Sequence, residues 1–137
     1  MRASALLLAG GWAAGNAVEL AKLFTYHRGH YEPAIRTIAA SATPSVTSNL
    51  DGIASTMIEF HQDRLNVRVD YVNNDNLCKT DAAWLIEINN LRSEQPETVT
   101  LGAPGCSKFY RKQAFYPAWG LSGWEWTLYR RAAEESD

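Results

Sequence analysis

Two cysteines, two methionines, three histidines and five prolines are few for 137 residues, and each scarcity removes a class of protein. Two cysteines cannot build a cysteine-dense framework, and neither Cys78 nor Cys106 stands in the CxxC or CxxH spacing of a zinc site. No metal site is expected. No apolar run reaches 18 residues, so no helix is expected to span a bilayer and no membrane anchor is predicted. Lys and Arg number 13 against 15 Asp and Glu, for a net charge of −2 and a pI of about 5.9. The basic excess of a general nucleic-acid binder is missing. So are the Gly-x-Ser-x-Gly elbow, the P-loop and the dinucleotide fingerprint, and no cofactor is implied. There is no Asn-x-Ser/Thr sequon, internal repeat, low-complexity tract or linker.

What is present reads as one ordinary globular domain, with 46% apolar and 20% charged residues. Met1-Arg2 is followed by the apolar stretch Ala3–Ala9 and by small residues up to Ala17. One positive charge, a short apolar run and small side chains before a cleavage point are the parts of a secretory signal peptide. Residues 1–17 are therefore expected to be removed, leaving 18–137 as the folded body and the outside of the cell as its destination. The alternative is a buried N-terminal helix from Ala5 to Phe24. Gly10, Gly11 and Gly15 oppose it, each costing about 1 kcal/mol in a helix interior. In an oxidising compartment Cys78 and Cys106 are read as one disulfide.

Alternation of apolar and polar residues marks strands. Residues 56–72 show it most clearly. Leu65, Val67, Val69 and Tyr71 alternate with Asn66, Arg68 and Asp70, and upstream Ile58 and Phe60 alternate with Glu59 and His61. Folded at Gln62-Asp63, the two arms predict a hairpin. Trp84–Ile88, Glu97–Leu101 and Trp124–Leu128 read as further strands. Ala34–Ser41 is β-compatible, and Thr43–Asn49 reads as a loop or an edge strand. Val18–Tyr26 is either a strand or a short helix. Turn signals about every ten residues then suggest an all-β or β-rich α+β fold, a small antiparallel sandwich or barrel with one disulfide.

Three constellations carry candidate chemistry. His27, His30 and Glu32 form a dense polar cluster, but Gly29 and Pro33 oppose the helix that a metal pair would need. Glu59, His61 and Arg68 fall on or across one face of the expected hairpin. Glutamate as base, histidine as acid and arginine on a phosphate is the trio of small secreted ribonucleases. The spacing of the small fungal ribonucleases is absent, so the trio is an analogy. Residues 108–131 hold eight of the chain's aromatics, with Lys108, Arg111, Lys112, Arg130 and Arg131 against the single acid Glu125. Residues 51–97 carry the opposite bias. Aromatic faces with interleaved Arg or Lys suit proteins, sugars and anions. Trp124 and Trp126 are expected in the core, and Arg111, Tyr116 and Trp119, in a Pro/Gly-broken loop, are the candidate binding residues.

A short export signal, a compact β-rich body and one cystine together resemble the small secreted proteins of fungi, including effector-type virulence proteins that act in a host. The resemblance covers the whole chain and carries no motif, so it assigns no residue. It implies a non-catalytic interaction protein whose partner is a host or extracellular protein or a glycan. The alternatives are a small secreted hydrolase, ribonuclease-like or glycan-directed, that would use Glu59, His61 and Arg68 or else His27, His30 and Glu32, and a carbohydrate-binding module.

Overall fold

A computed structural model describes residues 10–18, 20–21, 31–90, 95–103, 105–117 and 124–132. Residues 10–18 are helical and exposed, with Trp12 75% accessible. The body that follows is built from helix α1 (Tyr31–Ala39), strand β1 (Ser45–Ser48), helix α2 (Asp51–Leu65), strand β2 (Asp70–Tyr71), a 3-10 turn (Asn74–Asn76), and strands β3 (Trp84–Asn90), β4 (Thr98–Ala103), β5 (Cys106–Tyr116) and β6 (Trp124–Arg131). The strands form one mixed sheet in the order β2-β1-β3-β6-β5-β4. The fold is β-rich α+β with one disulfide. Neither a second sheet nor a closed barrel occurs among the described residues, and the sheet is not wholly antiparallel. β1 runs parallel to both β2 and β3, while β3, β6, β5 and β4 pair antiparallel in turn.

The expected hairpin over 56–72 does not form; most of that segment is α2. Its inward stripe is Ala54, Ile58, His61 and Leu65, spaced as a helix requires. Phe60, which shares a strand face with Ile58 under strict alternation, is instead 61% exposed. The helix closes at Asn66, which takes the left-handed conformation at φ 51° while Val67 N–H donates to Gln62 O at 3.0 Å. Ala34–Ser41 is also mostly helical. Ala34, Ile35 and Ile38 face inward from α1, and the chain turns at Ser41, whose hydroxyl donates to Ile38 O.

Segment 43–49 contains β1, an interior strand. β1 is buried along its length because parallel neighbours flank it and helices lie over it. Asn49 extends its ladder by side chain, accepting from Ile88 N–H and donating to Ile88 O. The turn into α2 is held by Asp51, which accepts from the Tyr71 hydroxyl at 2.5 Å and from Asn74 N–H. Burial first, and the Asp51 carboxylate second, hold the Tyr71 phenol far above its usual pKa.

The main core lies between the two helices and one sheet face. Val46, Trp84, Ile86, Ile88, Trp126 and Leu128 meet Ile35, Ile38, Ala54 and Ile58 there. The opposite face is covered by segment 72–83. Leu101 packs against both Val72, Leu77 and Ala82 and a second group formed by Leu85, Tyr110 and Tyr129. Tyr110, buried with its hydroxyl on Ala82 O, has its pKa pushed up to about 12, chiefly by burial.

A disulfide and an ion-pair cluster add to the hydrogen bonds at Asn74 and Ala82 in holding segment 72–83 down. Cys78 and Cys106 form the expected disulfide, with Cα atoms 5.7 Å apart. Asp81 receives Lys108 Nζ at 2.8 Å and Arg131 at 2.7 Å. These hydrogen bonds, first from Lys108 and then from Arg131, hold the Asp81 carboxyl down at about 2. The folded pKa lies below the unfolded one, so this tie is complete above about pH 4 and is lost as pH falls toward 2. Asp81 is 71% exposed, so solvent screening limits the tie to no more than about 1 kcal/mol. Acid titration followed by circular dichroism is expected to show an Asp81→Asn variant losing that increment of stability at neutral pH and matching the parent near pH 2.

Beside the disulfide, the β4–β5 connection needs its glycines. Gly102 has φ 129°, and a Cβ there would collide with the Cys106 carbonyl oxygen. Gly105 has φ 84°.

Candidate interaction face

Strand alternation sets which side chains share a surface. On the helix-facing side of β6, Trp126 and Leu128 lie under the helices, and the Tyr31 ring of α1 packs at a tilt against Trp126 with ring centroids 4.1 Å apart. Beyond them, Arg130 stands opposite Trp84 on one side and Arg111 of β5 on the other. Arg111 in turn stands opposite Thr98 of β4. One row therefore runs Trp84, Arg130, Arg111, Thr98. The Arg130 guanidinium lies 5.7 Å from the Trp84 ring, a cation–π contact. Trp84 is itself fixed by its indole N–H donating to the Ser41 hydroxyl.

Arg111 and Tyr116 lie on a strand and not in a loop. They are five residues apart, so a regular strand turns them to opposite faces. A bulge between Lys112 and Ala114 shifts the register by one, and Tyr116 then pairs with Trp126 as Arg111 pairs with Arg130. Both candidate binding residues thus come to the helix side of the sheet. Phe109, half-buried, and the exposed Thr98 and Thr100 complete the surface, with Trp124 at its far end, 36% exposed. Trp124 and Trp126 therefore part company. Trp126 is core, and Trp124, expected in the core, reaches the surface.

Arg111 and Arg130, side by side across the ladder, set two guanidinium forks on one surface, and such forks match carboxylate and phosphate geometry. Thr hydroxyls on the neighbouring strand add neutral hydrogen-bonding capacity.

The other candidate residues do not come together. Glu59 is exposed on α2 and lines a shallow groove of about 330 Å³ with Ser55, Gln62, Asp70 and Tyr71. His61, two residues on, is turned inward by the helix and packs against Tyr31, with ring centroids 5.5 Å apart. Arg68 is 88% exposed and lies 3.3 Å from Asp70. Glutamate, histidine and arginine shared a face only in the expected hairpin. Glu32 sits in the first turn of α1, where Arg36 at 2.9 Å holds its carboxyl below the usual range. His27, His30 and Trp119 lie outside the described residues. No group of three or more His, Cys, Asp or Glu suited to a metal ion occurs among the described residues. No described helix is long and apolar enough to cross a membrane. A second depression, of about 430 Å³, lies beside the disulfide and is lined by Asn74, Asp75, Leu77, Leu101 and Gly102.

Comparison with protein-family models, with curated proteins and with solved structures finds no match to this chain. The reading of its function rests on the chemistry of this face.

Proposed function

We propose that the protein is a non-catalytic interaction protein of the secreted, effector type, which binds an acidic segment of a host or extracellular protein on the helix-side face of β4, β5 and β6. The observation that carries this reading is the row in which Arg111 and Arg130 stand directly opposite each other beside Thr98, with Phe109 in the next row and Tyr116 further along the same face of β5. A carboxylate-rich chain laid across this row would meet two guanidinium forks whose geometry suits carboxylates. Tyr and Arg are also the side chains that most often anchor protein interfaces. The disulfide favours an oxidising compartment, as secretion requires. The separation of Glu59, His61 and Arg68 weighs against the hydrolase alternative.

The test is binding of a fluorescein-labelled Glu-rich peptide, followed by anisotropy. Wild type is expected to bind, with affinity falling as salt rises. Arg111→Glu/Arg130→Glu is expected to weaken binding at least about tenfold while the melting temperature stays near that of wild type. Equal binding by the double variant, or equal binding of a Lys-rich peptide, would overturn the reading.

A further inference from the structure

The two edges of the sheet are built differently. β2 is two residues long, carries Asp70 and is preceded by Arg68, so it is short and charged, as protected edges are. β4 is six residues long, Thr-Val-Thr-Leu-Gly-Ala, with no charge and no proline. Among the described residues β5 is its one neighbour. Lys112 N–H donates to Glu97 O, which sets the phase of the ladder. In antiparallel pairing the residues whose backbone groups face a given neighbour recur every second position. Val99 and Leu101 therefore turn their N–H and C=O toward β5, and Thr98 and Thr100 turn theirs outward.

We infer that β4 is a self-association edge, on which two copies of the chain pair antiparallel about a two-fold axis through Thr100. An apolar residue flanks Thr100 on each side, Val99 before it and Leu101 after it. Thr100 would meet its own copy as a reciprocally hydrogen-bonded pair, and each Val99 would meet the partner's Leu101. An axis perpendicular to the sheet keeps the faces matched. The threonine pair then lies on the helix side, continuing the row from Phe109, and the Val–Leu pairs lie on the other side. Val99 and Leu101 are each half-buried and border the group of Leu85, Tyr110 and Tyr129. The second copy would extend that apolar layer. Thr–Thr and apolar cross-strand pairs are favourable.

This register also avoids like charges. Thr98, in the row of Arg111, falls opposite Gly102 and Ser107 of the second copy. Glu97, in the row of Lys112, falls opposite Ala103. The pairing does not depend on the acidic-partner reading, since it uses the outward backbone groups of β4 and not the arginines, which stand on β5 and β6.

Sedimentation velocity of the full chain tests it. The dimer fraction is expected to rise with concentration between about 1 µM and about 1 mM, as for an interface below the standard size. Thr100→Lys is expected to hold the chain monomeric throughout with unchanged circular dichroism. Thr100→Cys is expected to give a covalent dimer on mild oxidation, since opposed Cα atoms across such a pair lie about 5.5 Å apart. Thr98→Cys, displaced from the axis, is expected to give none. A wild-type chain that stays monomeric over the range, a dimer that persists in Thr100→Lys, or crosslinking of Thr98→Cys as strong as that of Thr100→Cys would each overturn the inference.

Discussion

Trp126→Ala is expected to cost about 3–5 kcal/mol, enough to unfold much of the population of a domain this size. Trp126 is 1% exposed. It pairs with Ile88 on β3 and Tyr116 on β5, and it takes the Tyr31 ring at 4.1 Å. Removing the indole therefore opens a cavity where the sheet meets α1. Trp124→Ala, two residues upstream on the same strand, is expected to shift stability by less than about 1 kcal/mol, because its ring is already partly in water. Chemical denaturation of both variants checks the pair. Equal losses would mean that the two tryptophans are equally buried and that β6 has been assigned the wrong depth.

The second large effect is expected from the cystine. The bridge closes a loop of 28 residues. The chain-entropy relation values such a closure at about 3–4 kcal/mol. The paired Cys78→Ser/Cys106→Ser variant is therefore expected to melt about 10–15 °C lower. The loss has a location. Segment 72–83 covers Leu101, and without the bridge its middle, around Cys78, keeps the small group at Leu77, while the Asn74 and Ala82 hydrogen bonds and the Asp81 ion pairs hold its two ends. Hydrogen exchange is expected to rise first between Val72 and Ala82 and in the β4–β5 connection, while α2 stays protected. A melting temperature within about 3 °C of wild type would show that this segment is held by packing alone.

Strands β3 and β6 were legible because both pleat faces carry their own pattern. Trp84, Ile86 and Ile88, like Trp126 and Leu128, are apolar at every second position, with Glu87 and Thr127 between and Leu85 serving the second apolar group on the other face. The same rule misreads α2. Ile58, Phe60, Leu65, Val67, Val69 and Tyr71 alternate by accident. The true stripe of Ala54, Ile58, His61 and Leu65 includes a small residue and a histidine, so its helical period is faint. Tertiary packing under α1 decides the outcome. β1 was hidden for a different reason. Its Ser-Val-Thr-Ser sequence looks like a loop, and only flanking strands and the partners of Thr47 and Ser48 make those hydroxyls tolerable inside.

The candidate face was half legible. Its residue types stood out in composition, as a basic and aromatic stretch against an acidic remainder. Its geometry did not, because the aromatics of β5 come in adjacent pairs and the bulge after Lys112 reverses the parity. No reading by alternation alone puts Arg111 and Tyr116 on one side. The hydrolase trio failed in the complementary way. Its residues were near in sequence and matched in chemistry, but a helix turns neighbours two apart to different sides.

Amide chemical-shift mapping of the protein with the Glu-rich peptide tests the central claim most directly, because it reports which surface is used. The account predicts shifts centred on Thr98, Thr100, Phe109, Arg111 and Arg130. Shifts centred instead on Ser55, Glu59, Gln62 and Asp70 would contradict it and move the working surface to the groove between α2 and β2.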